Sequence, residues 1–293
     1  MRNKRVLIVS GADARFFPLL EGLVLSMRAQ EASKAVSLAF FDLGLTDAQR
    51  DWLGRFSDRI VTPGWDLPVP ERDDLPEAAK SVTARIFLPT YFPGFDVYLW
   101  LDADTWLQSW LGIEYYVAGA LATGAAATPQ VDRSYIQGAG VLRWRFTGFS
   151  KCYGQQAAID LMQYPHINAG AFAIRADAPH WSRLAAAYLE AMERSGEVLC
   201  SDQMAFNHAV YKGGLAVQLL PATCNWQCHL RLPLWNEETA TFCEPFLPYP
   251  TISVLHLTAD AKDKSFEIAT MTGRRREMTL RCPLTDEQTV VGS

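Results

Sequence analysis

A chain of 293 residues with 49% hydrophobic content is long and apolar enough to bury the core of one large α/β domain. Its formal charge of −5 argues against a general nucleic-acid-binding surface, so no nucleic-acid partner is expected. The first apolar run, Val6-Leu7-Ile8-Val9-Ser10, is too short for a signal sequence or a bilayer span, which points to a cytoplasmic protein.

That run leads into Gly11-Ala12-Asp13, the pattern of a first parallel strand opening onto a ligand-side loop. Leu19, Leu20, Leu23, Val24 and Met27 recur at helical spacing, and Pro18 is tolerable in the first turn. A strand over 35–41, a cap at Thr46-Asp47, a helix over 48–56 and a short strand at Ile60-Val61 follow. Pro and Gly mark 63–76 as a loop, and 77–91 reads as one helix delivering the chain to the next strand. That strand, Val97-Tyr98-Leu99-Trp100-Leu101, is apolar on both faces and breaks off into Asp102-Ala103-Asp104-Thr105. Two carboxylates one residue apart at a strand's carboxyl end suit a divalent cation that itself grips phosphates. A terminal Asp capping the following turn is the plainer alternative.

Further on, 110–121 is expected to be helical and 125–128 a strand. The stretch 129–156, rich in Gly, aromatics and Arg without a clear period, reads as a long functional loop or small subdomain. A strand over 167–175 contains Gly170, which permits close backbone approach. An amphipathic helix over 181–194 comes next, and Ser201 caps another running to about Tyr211. Short strands over 215–220 and 252–257 bracket a region rich in Trp, Pro and Cys. Six scattered cysteines do not resemble a disulfide scaffold; Cys224, Cys228 and His229 lack a second ligand pair for zinc, so structural thiols are expected. Arg274-Arg275-Arg276 marks a basic tail, either solvated or in weak contact with an anionic membrane or acceptor.

Five pieces in order, Arg85 with its neighbours, Leu101-Asp102-Ala103-Asp104, Asn168-Ala169-Gly170, Ser201-Asp202-Gln203 and Leu255-His256 with Lys262, together resemble glycosyltransferase family 8. This is the group that includes glycogenin and bacterial lipopolysaccharide galactosyl- and glucosyltransferases. The resemblance implies an α/β fold of GT-A type, a Rossmann-like, mixed and mostly parallel sheet flanked by helices. It implies a single domain over 1–265, with a nucleotide-binding half over 1–105, a donor-sugar and acceptor half over 106–265, and a C-terminal tail over 266–293. It also implies a retaining hexosyltransferase that uses a UDP-sugar, UDP-glucose or UDP-galactose first, and a saccharide or lipid-linked glycan acceptor. Asp102, Asp104 and His256 would hold Mn²⁺ or Mg²⁺, the imidazole tilting the choice to Mn²⁺. Lys262 and Arg85 would serve the nucleotide diphosphate alongside Ala103. In the loop around Ala12, Asp13 would meet the uracil edge and Phe16 stack on its face. Asn168 and Asp202 match residues that hydrogen-bond the donor sugar, and Gln203 the side chain beside the anomeric carbon.

Three positions depart from the family pattern. Met204 stands where an acid or Gly is common, Ala259 replaces a Gly and would crowd the phosphate, and Asp263 replaces a Pro and adds negative charge nearby. Two other functions fit parts of the sequence. Asp102-Ala103-Asp104-Thr105 has the form of a haloacid-dehalogenase-type phosphatase signature, although that reading expects it on the first strand with an acidic pair downstream. A catalytically inactive relative that binds sugar nucleotides is the other. Membrane contact through the tail, at the inner face, is at most peripheral, and aromatics over 131–153 and 226–235 offer a candidate acceptor cleft.

Overall fold

A computed structural model describes residues 4–69, 72–197 and 201–283. Cys200 and the side chain of Ser201, the expected cap, lie outside the described part. The chain order begins β1 (Val6–Ala12), α1 (Phe17–Arg28), β2 (Ser37–Asp42), α2 (Asp47–Gly54), β3 (Ile60–Val61), α3 (Lys80–Ala84), α4 (Leu88–Tyr91) and β4 (Val97–Leu101). It continues with β5 (Thr105–Leu107), α5 (Leu111–Thr123), β6 (Ala125–Pro129), α6 (Ala139–Tyr153), α7 (Gln155–Leu161), β7 (Ile167–Arg175), α8 (His180–Ser195), α9 (Ser201–Tyr211) and β8 (Gln218–Leu219).

Seven of these strands, all but β5, form a sheet in the order β3-β2-β1-β4-β7-β6-β8. β7 alone runs against its neighbours, antiparallel to both β4 and β6, so the sheet is mixed and mostly parallel, as expected. Successive side chains of a strand point to opposite faces, and both faces here are buried. Val6, Ile8, Leu99 and Leu101 pack on α1 and α5 through Leu20, Leu23, Ile113 and Tyr116. Leu7, Val9, Tyr98 and Trp100 pack on the other side with Leu184 and Tyr188 of α8 and Phe206 of α9. The expected cap at Thr46 is present as a capping box with Gln49.

Two expectations are corrected. The stretch 77–91 is not one helix: a 3-10 turn precedes α3, the chain breaks after Ala84, and α4 restarts with Pro89 in its first turn. Proline lacks the donor a continuing helix needs and its ring opposes a helical residue before it. The break leaves Arg85 at the C-terminal end of α3. The stretch 129–156 is not a long loop, because α6 occupies most of its second half. Its buried positions, Arg145, Gly148, Phe149, Cys152 and Tyr153, have full helical spacing, yet an Arg and a Gly fill two sites where the period is ordinarily carried by apolar residues.

A second, three-stranded sheet pairs β5 antiparallel to β12 (Val254–His256), and β12 parallel to β9 (Trp226–Gln227). β10 (Leu234–Asn236) and β11 (Thr241–Cys243) form a small hairpin. Arg274, Arg275 and Arg276 lie at the turn and start of a final hairpin, β13 (Ser265–Ala269) with β14 (Arg275–Thr279), where Arg275 pairs with Glu267 at 2.8 Å. Among the described residues no helix is long and apolar enough to cross a membrane.

Candidate metal and nucleotide site

The carboxyl ends of β1 and β4 open onto one cavity of about 280 Å³. It is lined by Ala12, Asp13 and Phe16 from the first loop, by Arg85, by Asp102, Ala103 and Asp104, and by Lys262. Eight positions that the sequence singled out, scattered over most of the chain, thus share one wall system. Asp13 Oδ1 accepts from the Phe16 amide at 2.8 Å and fixes the loop's turn, while the Arg15 guanidinium sits 5.6 Å over the Phe16 ring. Gly11 of the same loop also lines it, and Leu43, Ala78 and Ser81, which were not foreseen, complete the lining.

Asp102 is clamped where it leaves β4. Its amide donates to Gly170 O at 2.8 Å, and its Oδ1 accepts from Trp100 Nε1 at 2.7 Å and faces Arg85 Nη1 at 3.4 Å. Arg85 is buried, not a surface residue. It lies against the Trp100 ring, donates to Ala169 O at 3.0 Å and reaches Asp202 Oδ2 at 3.5 Å, tying Asp102 and Asp202 together. Antiparallel pairing of β12 with β5 sets His256 opposite Thr105, so its ring meets the two acids. Ligand atoms of Asp102, Asp104 and His256 all lie within 4.8 Å of one another. His256 Nε2 is 3.2 Å from Asp104 Oδ1 and 3.9 Å from Asp102 Oδ2, and Lys262 Nζ is 2.6 Å from Asp104 Oδ2.

The tautomer of His256 follows from its neighbours. Asn225 Nδ2 donates to Asn168 Oδ1 at 2.9 Å, so its Oδ1 is the acceptor for His256 Nδ1–H, also at 2.9 Å. Nε2 is therefore directed at two carboxylates, an arrangement that requires a cation between them, either a proton on the ring or a metal ion. Burial opposes charge on His256, yet Asp104 and Asp102 outweigh it and hold its pKa above the usual 6.5. Burial likewise raises Asp104, but His256 and Lys262 more than compensate and bring it to about 2. Two carboxylates and an imidazole directed at one point are a donor set that fits Mn²⁺ or Mg²⁺.

Asn168, Asp202 and Gln203, the residues expected to meet the donor sugar, form a continuous chain with this centre. Asn168 Nδ2 donates to Gln203 Oε1 at 3.1 Å, Gln203 Nε2 bonds His166 Nε2 at 2.8 Å, and Asp202 Oδ1 accepts from the Gln203 amide at 2.6 Å. Asn225 is the link that sequence reasoning missed, since nothing about an Asn before a Trp-rich turn marks it. Replacing Asn225 by Ala is expected to weaken Mn²⁺ affinity about 10- to 100-fold, the scale of losing a ligand's outer hydrogen bond, with Asn225→Asp weakening it less. Titration calorimetry of the two variants checks this, and unchanged affinity in Asn225→Ala overturns it.

The departures from the family pattern find physical explanations. Met204 faces away from the site, fully buried against Gly148 in the packing of α6 and α9. Ala259 adopts φ of 53°, the left-handed conformation that glycine takes without strain. The charge of Asp263 is matched by Arg281 at 2.9 Å. Cys224 and Cys228 are buried free thiols whose pKa values burial pushes up to about 12, and His229 bonds Thr258, so the tempting zinc trio is three structural residues.

No family model matches the sequence, and no curated protein matches it. Solved structures do. The bifunctional glycosyltransferase WbbM superposes with a TM-score of 0.58 at 14% identity over 88% of this chain and 46% of that one. Galactosyltransferase LgtC, solved with donor and acceptor sugar analogs, gives 0.52 at 16% identity over 87% of this chain and 88% of that one. The chain has the GT-A fold. Mouse xyloside xylosyltransferase 1 shares it, with a TM-score of 0.54 at 11% identity over 88% of this chain and 98% of that one. This chain spans under half the length of WbbM and most of the other two.

Proposed function

We propose that this chain is a family 8-type glycosyltransferase, metal-dependent and retaining, that moves a hexose from a UDP-sugar to a saccharide or lipid-linked glycan acceptor. The observation that carries the reading is the single cavity in which the Asp13–Phe16 loop, Arg85, the two acids and Lys262 face one another, with His256 at its edge. One wall suits a uracil ring, and the opposite wall suits a diphosphate held through a cation. A divalent cation there supplies Lewis-acid stabilisation of the departing UDP. Lys262 adds a positive charge on the same side, Arg85 holds Asp102 and Asp202 in place, and Asn168, Asp202 and Gln203 orient the sugar.

Retention is supported by what the sugar side lacks. Asp202, the nearest carboxylate in sequence, is engaged by Arg85 and by the Gln203 amide, and both amide atoms of Gln203 are themselves bonded. Neither is a free base or a nucleophile poised for double displacement, which favours attack from the face that UDP leaves. UDP-glucose and UDP-galactose are the first donors to test, Mn²⁺ the first metal, and the cytoplasm the proposed location, with any membrane contact peripheral. The phosphatase reading is less well supported, because the metal-type group found among the described residues uses an imidazole, without a further acidic pair.

The test is a donor panel with Mn²⁺, reading UDP release and the proton NMR of the product. UDP-sugar turnover with a small, α-type anomeric coupling is expected. A β-type coupling removes the retaining assignment, phosphate release from simple phosphoesters supports the phosphatase, and tight UDP binding without turnover supports the inactive relative.

A further inference from the structure

Arg145 is a cation buried without an anion. It faces inward from α6 at 5% exposure, and among the described residues no carboxylate pairs with it. Its Nη2 donates to Gln130 Oε1 at 2.9 Å, its Nε is sealed without any partner, and Nη1 makes no hydrogen bond yet is not sealed. Burial alone brings its pKa down to about 10, with no acid restoring it. Folding a guanidinium into such a place is costly unless something of opposite charge arrives.

The surroundings repeat the theme. Gln130 passes the polarity on by donating to Gln227 Oε1, which leaves Gln227 Nε2 a buried donor without an acceptor. His166 accepts from Gln203 through Nε2, so its Nδ1 carries the proton, and that N–H is also buried and unpaired. Three orphaned donors thus belong to one connected group. The single orphaned acceptor nearby, Gln137 Oε1, sits on a side chain tied to Gln130 O and does not reach the guanidinium. The group adjoins the reaction centre on two sides: Gln227 is the strand partner of His256, and His166 holds Gln203. The Arg145 charge also acts on both His166 and His229. Arg145 does not line the cavity that holds Lys262 and the Asp13–Phe16 loop.

We infer that one of the two sugars bound at this site carries a carboxylate, received by the open Nη1–Nη2 edge of Arg145. This rests on the glycosyl-transfer reading and narrows its substrate to a hexuronic acid, as donor or as acceptor terminus. One guanidinium flanked by neutral amide donors matches a single negative charge, whereas a phosphomonoester would leave a second charge unmatched.

Two binding arms separate the sources, both in Mg²⁺ and both on the full chain. In the donor arm, calorimetry compares UDP-glucuronate with UDP-glucose and UDP-galacturonate with UDP-galactose. In the acceptor arm, saturation-transfer NMR on protein loaded with UDP compares methyl glucuronide with methyl glucoside. A preference of about tenfold or more for the acidic sugar in one arm is expected, the scale of a charge-assisted hydrogen bond, together with its loss in Arg145→Met. Arg145→Met is also expected to melt no lower than the wild type, because it removes an unpaired charge. Arg145→Lys, which keeps the charge and loses the fork, should retain only part of the preference. No preference in either arm, or one that survives in Arg145→Met and is undiminished in Arg145→Lys, overturns the inference. Absence of any UDP binding is a different result, for it removes the glycosyl-transfer reading itself.

Discussion

Asp102→Asn and Asp104→Asn are each expected to lose UDP-sugar turnover, with Mn²⁺ affinity falling beyond about a hundredfold, more than the loss of a ligand's outer hydrogen bond produces. The geometry makes the two substitutions unequal in detail. Asp104 is buried and faces both His256 and Lys262, so Asn there leaves a buried imidazole and a half-buried ammonium without this counter-charge. Asp102 keeps its clamp to Trp100 and Arg85 even as Asn, which preserves the backbone turn. Near-UV circular dichroism of Asp102→Asn should therefore match the wild type, while Asp104→Asn is expected to melt lower. The metal also competes with a proton. Because His256 has a raised pKa in the metal-free protein, it is protonated below that pKa and must lose its proton to act as a ligand. Affinity is then full above the raised pKa and falls about tenfold per pH unit beneath it, so the decline begins above 6.5, where an ordinary histidine would begin it. Calorimetry across pH reads this, and affinity flat through the neutral range argues against His256 as a ligand. Turnover that survives chelation with EDTA argues against the metal altogether.

Gly170→Ala has an effect of comparable size from a residue that offers no ligand. A Cβ there would lie 2.5 Å from His256 Cε1, 2.6 Å from Asp102 Oδ2 and 3.0 Å from Asn168 Oδ1. None of the three can retreat freely: Trp100 and Arg85 hold Asp102, and Asn225 holds both His256 and Asn168. The methyl must therefore push the ligands apart, at about 1–3 kcal/mol of overpacking. Mn²⁺ affinity is expected to fall about as far as in Asp102→Asn, with only a few degrees lost in Tm. Wild-type affinity in Gly170→Ala would mean that the ligands do not converge over this strand.

The sequence made most of the first hundred residues, the broken helix over 77–91 apart, and the two acids legible because they follow strong local rules: apolar runs ending in turns, and a strand edge ending in carboxylates. Gln203 and Asn168 were reached only through their order along the chain, since an Asn on a strand and a Gln on a helix are locally bland. Asn225 and Arg145 escaped for opposite reasons. Asn225 acts only through long-range pairing of β9 with β12, which no local pattern encodes. Arg145 hid α6 itself, because a buried Arg removes an apolar beat from the very period that would have announced the helix. The residue that defeated the helical reading is the one that later proved chemically out of place.

The reversed strand β7 has a consequence for how the protein is made. It enters between β4 and β6, which precede it in the chain, and it brings Gly170 against Asp102 while Asn168 waits for Asn225. Contacts of such wide sequence separation form late in folding. Strand β4 presents the two acids early, but the imidazole and the lysine arrive only with β12 and the turn after it. During synthesis the emerging chain thus displays carboxylates without the partners that shape them into a tight ion-binding centre. The three-donor cluster of Asp102, Asp104 and His256 is thus completed only in a late stage of folding, once β12 has paired with β5.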